Sequence, residues 1–198
     1  MAIRMSGKLG LILIALLAST TCAVAQTQGH LPPQKPFDAT YQMLTDPSQN
    51  MTTRVICDGQ GRTRSESTIQ GQQYISLSDM NKKVSYSLNV QQKTAMRVPI
   101  ENAATYDPQY AKTQSKPIGA KMVEGRPCHG WLMTQGGHQT ETWIADDLGC
   151  TVLVMADGKP LMRMVRSNPY SANASTFSVP SDYRIVEMPN IPGSATTR

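Results

Sequence analysis

The side chains that could do chemistry are few and scattered. His30, His129 and His138 are the chain's three histidines. There is no G-x-S-x-G elbow, no phosphate loop ending in G-K-[ST] and no H-E-x-x-H pair. His129 and His138 flank a turn at Gly136-Gly137, and pairing about that turn predicts His129 opposite Trp143, so the two imidazoles do not face each other. Cys128-His129 has no partners at zinc spacing. All three read as surface or turn-proximal groups. No catalytic residue, metal or cofactor is expected.

Sulfur is the next candidate. Met162 and Met164 put two thioethers on one face of a strand, a soft pair of the kind that suits Cu(I). A copper carrier needs more converging ligands, so the pair reads first as core filling, or as an adaptable apolar surface. Cys57, Cys128 and Cys150 follow Cys22 along the chain. In an oxidising compartment two of the three should bridge. Cys128 with Cys150 is the expected disulfide, because both lie in the second half and Cys57 falls in an apolar strand pattern.

Arginine offers a third possibility. In Gly61-Arg62-Thr63-Arg64-Ser65-Glu66-Ser67, the residues Arg62, Arg64 and Glu66 share one face. That is either a solvated face or a guanidinium reaching across the sheet to hold a covering segment by its backbone carbonyls. The triplets Asn50-Met51-Thr52 and Asn173-Ala174-Ser175 match the N-glycosylation pattern, but the leader has a bacterial style that would leave them unused.

That leader sets the compartment. Arg4 and Lys8 precede an uncharged stretch from Leu9 to Ala18, and Ala23-Val24-Ala25 supplies small residues for cleavage before Gln26. The apolar run is short for a span, which takes about 20 residues. Thr21 fits poorly before a lipidated Cys22. Residues 1–25 are expected to leave as a signal peptide, which places the mature chain in the periplasm or outside the cell. Of 198 residues, 198 − 25 = 173 remain, and net charge falls from +5 to +3 with the loss of Arg4 and Lys8. One domain of that size buries about 70% of its unfolded surface. The basic residues form no run and do not alternate with aromatics, so a nucleic-acid partner is not expected; the chain is peripheral to a membrane at most.

The elements that position these residues are strands. Phe37, Ala39, Tyr41 and Met43 alternate, as do Val84, Tyr86, Leu88 and Val90. Asp58-Gly59 and Asp157-Gly158 are hairpin signals. The pattern predicts strands near 37–45, 51–57, 62–69, 73–78, 83–90 and 94–98. It continues with 117–123, 127–134, 138–144, 151–156, 160–166 and 183–187. This is a mainly β chain, a curved antiparallel meander with one or few short helices, the candidate helix being 101–115. Residues 26–36 read as an extended lead-in, 37–188 as the domain and 189–198 as a disordered tail.

The order D-G-x-G-R-x-R, "YISLSDMNKKVSYSL", "VEGRPCHGW…TETWIADDLG" and "FSVPSDYRI" resembles the periplasmic lipoprotein-carrier-like (LolA-like, outer-membrane-sorting-like) superfamily of half-barrels. The resemblance implies a curved sheet whose apolar face shelters lipid chains. It also implies an arginine that ties down the lid, best matched by Arg64 and then Arg62, and an aromatic at Trp143. The chain departs from those carriers in lacking an amphipathic helix before the first strand.

The expected function is therefore a non-enzymatic exported protein that holds an apolar or acylated ligand, such as a lipid or lipoprotein. Its candidate ligand-binding residues are Tyr41, Arg62, Arg64, Tyr86, Leu88, Met96 and Trp143. The alternative is an envelope module with a filled core that binds another envelope protein. Tyr41, Tyr86, Leu88, Met96 and Trp131 decide between the two, since they either line a concavity or fill it.

Overall fold

A computed structural model describes residues 34–45, 51–69, 71–100 and 115–187. The expected signal peptide, most of the lead-in, the candidate helix except Ser115, and the tail lie outside the described residues. Ser115 itself opens a strand.

Among the described residues twelve strands form: β1 (Phe37–Met43), β2 (Thr52–Cys57), β3 (Arg62–Ile69), β4 (Gln72–Asp79), β5 (Val84–Asn89) and β6 (Thr94–Pro99) in the first half. The second half has β7 (Ser115–Val123), β8 (Arg126–Gln135), β9 (His138–Ala145), β10 (Thr151–Ala156), β11 (Lys159–Asn168) and β12 (Arg184–Glu187). A 3-10 turn, Ala174–Phe177, lies between β11 and β12. The turn chemistry explains the two-residue hairpins. Gly136-Gly137 and Asp157-Gly158 both adopt the positive φ that the right-handed twist of a hairpin demands.

The strands build one open, curved sheet in the order β12-β6-β5-β4-β3-β2-β1-β11-β10-β9-β8-β7. It is a half-barrel of two meanders, β1–β6 and β7–β11, joined where β11 returns to pair with β1. All neighbours are antiparallel except β12, which adds parallel to β6.

The register places the apolar side chains on different faces in the two halves. Val55 stands opposite Ser65, and Ser65 stands opposite Ser76. Directly opposed residues share a face, and neighbours along a strand point apart. Ile75 and Leu77, on either side of Ser76, therefore lie on the face opposite to Val55. One core gathers Phe37, Tyr41, Val55, Cys57, Trp143, Val152, Met162 and Met164. The other gathers Ile75, Leu77, Leu88 and Ala95, with Val179 and Tyr183 laid over it from the segment before β12. The change of face happens at β3, which carries Arg62, Arg64 and Glu66 on one side and Thr63, Ser65 and Ser67 on the other.

Two expectations are corrected here. His129 stands opposite Ile144, and Trp143 stands opposite Gly130. The turn is two residues long with Gln135 paired to His138, and counting Gln135 into the turn shifts the register by one. Cys128 and Cys150 are buried and not bonded to each other, so there is no Cys128–Cys150 bridge, and Cys57 is buried as expected. Cys128 is paired with Ala145, and Ala145 in turn bonds its backbone N–H to the Cys150 carbonyl. A whole strand thus separates the two cysteines. Two strand spacings come to about 9.5 Å, beyond the roughly 7 Å between Cα atoms that a disulfide tolerates.

Candidate functional site

The site grows from the D-G-Q-G-R sequence between β2 and β3. Gly59 has φ +70°, and a Cβ there would stand 2.9 Å from the Gln34 carbonyl, so both conformation and space require glycine. The chain then curls round the Asp58 carboxylate. Oδ1 accepts from the backbone N–H of Gln60 at 2.8 Å and of Arg62 at 2.9 Å, and Oδ2 accepts from Arg62 Nε at 2.6 Å. Burial pushes the Asp58 carboxyl up, but these hydrogen bonds outweigh it and hold the group below the usual range.

Arg62 thus fixed lies 5.0 Å from the centroid of the Phe177 ring. Two residues on, Arg64 donates from Nε to Glu66 Oε1 at 2.6 Å and from Nη1 to the backbone carbonyl of Thr176 at 3.3 Å. Both arginines therefore hold the Ala174–Phe177 turn against the sheet. The turn is itself capped by Asn173, whose side chain accepts from the Ser175 N–H. The Asn-Ala-Ser triplet has this local role in the fold. Further along, Lys93 pairs with Asp182 at 2.8 Å, and the Arg184 N–H bonds to the Lys93 carbonyl. Residues 169–183 form a strap over the second core.

Beside the strap, the sheet and the strap enclose a cleft of about 370 Å³, lined by Asp38, Arg54, Ile56, Arg64, Glu66, Ser171, Ala172 and Thr176. Register explains the set. Asp38 pairs with Ile56, and Ile56 with Arg64, while Arg54 pairs with Glu66. Arg54 grips Asp38 through two bonds, Nε to Oδ1 at 3.0 Å and Nη2 to Oδ2 at 2.6 Å, and Asn168 Nδ2 adds a third to Oδ1 at 3.1 Å. The Arg54 hydrogen bonds outweigh burial and hold the Asp38 carboxyl below its ordinary range. Arg54 Nη1 also lies 3.9 Å from Glu66 Oε2, so Glu66 sits between two guanidinium groups. The cleft is polar, and its charges are balanced in pairs.

The structure does not bring the seven sequence candidates together. Tyr41 and Trp143 are buried in the first core, at 4% and 5% exposure. Arg62, Arg64, Tyr86 and Leu88 lie on the other face under or beside the strap, with Leu88 at 3% exposure. Met96 pairs with Ser87 on the face opposite to Ala95. Trp131, the remaining large residue, is half-buried with its indole N–H enclosed and unpartnered among the described residues. Met162 and Met164 are core residues. Asp38, Arg54 and Glu66 are the cleft residues that sequence reading missed. Glu66 was within reach, since it shares the face of Arg64; the other two depend on long-range pairing.

His30 lies outside the described residues; His129 lies within β8 and His138 opens β9. His129 Nδ1 lies 2.6 Å from Asp146 Oδ1, and His138 Nδ1 lies 2.8 Å from Asp157 Oδ2, all four exposed enough to be washed by water. Asp157 also accepts from the Gln139 N–H, which pins the last hairpin turns together. Among the described residues no group of His, Cys, Asp and Glu is arranged to hold a metal, and no helix is long and apolar enough to cross a membrane.

Residues 41–154 match the family described as a domain of unknown function, DUF4412. The chain belongs to this family. No curated protein matches the sequence. Among solved structures, the DUF4412 sheet is similar to an uncharacterised conserved protein from Thermus thermophilus, with TM-score 0.58 and 14% identity over 86% of this chain and 99% of that one. It is also similar to MucB, solved in complex with MucA(peri), with TM-score 0.50 and 12% identity over 84% of this chain. That alignment spans 62% of the MucB chain. A putative outer membrane lipoprotein-sorting protein domain from Vibrio parahaemolyticus aligns over 81% of this chain and 97% of its own at 7% identity and TM-score 0.35. At such low identity the first two likenesses speak for the fold and not for an activity. The DUF4412 chain shares its fold, a half-barrel built from one open curved sheet, with the Thermus thermophilus protein and MucB.

Proposed function

We propose that this DUF4412 protein is an exported, non-enzymatic envelope protein that binds another protein, and that it does not shelter an acyl chain. The observation that carries this is the burial of the side chains that would line a lipid cavity. Tyr41, Trp143 and Leu88 are packed into two cores of the protein's own making. The described cleft is lined by two arginines and two carboxylates, and an acyl chain there would desolvate charge without replacing its hydrogen bonds. MucB, of the same fold, was solved with a protein partner, which makes a protein the first class of partner to test here.

In this reading residues 1–25 leave on export, 26–36 lead into the domain at 37–188, and 189–198 trail from it. Intact mass of protein recovered from the envelope should correspond to a chain starting at Gln26. The decisive experiment titrates the folded mature protein with an environment-sensitive apolar dye and then with a long-chain fatty acid. No saturable dye binding is expected. Stoichiometric dye binding that the fatty acid displaces would overturn the reading and restore the lipid-carrier function.

A further inference from the structure

We infer that the cleft between β2, β3 and the strap is the docking site for an acidic, extended segment of a protein partner. This rests on the protein-binding reading above and names the chemistry of the partner. A volume of about 370 Å³ lies within the range of small-ligand pockets, about 300–1,000 Å³. It is too small for a folded surface and suits a few residues of extended chain.

The donors favour an acceptor-rich guest. Arg64 spends Nε on Glu66 and Nη1 on a main-chain carbonyl, that of Thr176, and its Nη2 has no partner among the described residues. The guanidinium fork already recognises peptide main chain at this spot and has donors left over. Arg54 has both bonds to Asp38 on one side and only a long 3.9 Å approach to Glu66 from Nη1.

The charge balance favours a negative guest. Asp38 and Glu66 offset Arg54 and Arg64, and Asp58 offsets Arg62. Arg166 is left over. It pairs in register with Thr40, which pairs with Arg54, so the three residues form one row across β11, β1 and β2. Asn168, two residues on and on the same face, bonds to Asp38 in the cleft wall. Arg166 is exposed and has no ion-pair partner among the described residues. Arg166 thus stands on the same face two strands from Arg54, outside the lining of the cleft, as a positive charge with no ion pair among the described residues; with the unspent Arg64 donors inside the cleft, an acidic segment that crosses both finds a partner for its carboxylates at each.

The test uses the mature protein and a fluorescein-labelled hexaglutamate peptide, read by anisotropy at low salt. Saturable one-site binding is expected, with hexaglutamine failing to bind. Arg166→Glu, at a side chain that makes no ion pair among the described residues, should weaken binding about tenfold. Arg184→Glu makes the same change of net charge on the opposite face of the sheet, since Arg184 pairs with Thr94, and should leave binding unchanged. Absence of saturable binding, or an equal loss in both variants, overturns the acidic-segment site. Neither result touches the dye titration, so failure here and failure of the protein-binding reading remain distinct.

Discussion

Arg64, on the third strand, donates to the backbone carbonyl of Thr176, 112 residues further along the chain. This bond joins the middle of the sheet to the strap that crosses its second core. Together with Arg62 against Phe177, it makes the strap part of the fold.

Arg64→Ala should loosen the strap selectively. A charge-assisted bond of this kind contributes about 1–2 kcal/mol, so amide exchange across 171–183 should quicken by about tenfold. Hydrogen–deuterium exchange read by mass spectrometry checks this. Faster exchange spread evenly over β8 and β9 as well would show that Arg64 supports the whole sheet and not the strap.

Gly130 is a packing requirement. A Cβ there would stand 2.7 Å from Cη2 and Cζ3 of Trp143 and from Cγ1 of Ile118. The indole packs against the Gly130 backbone, and Lys121 Nζ, from β7, lies 3.8 Å from its ring centroid. Gly130→Ala should cost about 1–3 kcal/mol, seen as a lower urea midpoint and altered tryptophan fluorescence. A midpoint equal to that of the unaltered protein would mean that Trp143 can move aside.

The acid limit of stability should depend on Asp38 and Asp58. Both carboxyls are held below their ordinary range in the folded state, Asp38 by the Arg54 hydrogen bonds, and Asp58 by hydrogen bonds that outweigh its burial. The unfolded chain, with aspartate near about 3.9, then binds more protons than the folded one as pH falls. The stabilisation is complete above that value and is lost as pH drops through the lowered folded values. Arg54→Met should destabilise the protein by about 1–2 kcal/mol at neutral pH, a modest figure because Arg54 is half in water. It should also move the acid-unfolding midpoint upward in a circular dichroism titration. An unchanged midpoint would show that Asn168 alone suffices for Asp38.

The thiols should be free and slow to react. Burial pushes Cys128 up to about 11 and Cys150 up to about 12, so almost no thiolate exists at neutral pH. Cys57 is buried as well, its thiol donating to Gln34 Oε1 at 3.2 Å. Alkylation of the folded protein should leave all three unmodified, and denaturant should expose them together. A peptide map made without reduction that joined Cys128 to Cys150 would contradict this arrangement.

The sequence by itself determined the local structure. Period-two alternation and glycine-bearing turns located every strand seen here to within two residues, because alternation and positive-φ turns are written in neighbouring residues. The D-G-Q-G-R loop and the shared face of Arg62, Arg64 and Glu66 were legible for the same reason. Tertiary structure alone decided the rest. The return of β11 to β1 brings Asn168 to Asp38, and no local pattern encodes a pairing across 130 residues. The turn at Gly136-Gly137 shows how sensitive such pairing is: one residue of register moved Trp143 from His129 to Gly130. The division of Tyr41 and Leu88 between opposite faces has the same origin. Each strand alternates correctly by itself, but β3 has no large apolar residue before its last position to mark a face, and only its hydrogen-bonded partners on both sides fix which side of the sheet becomes core.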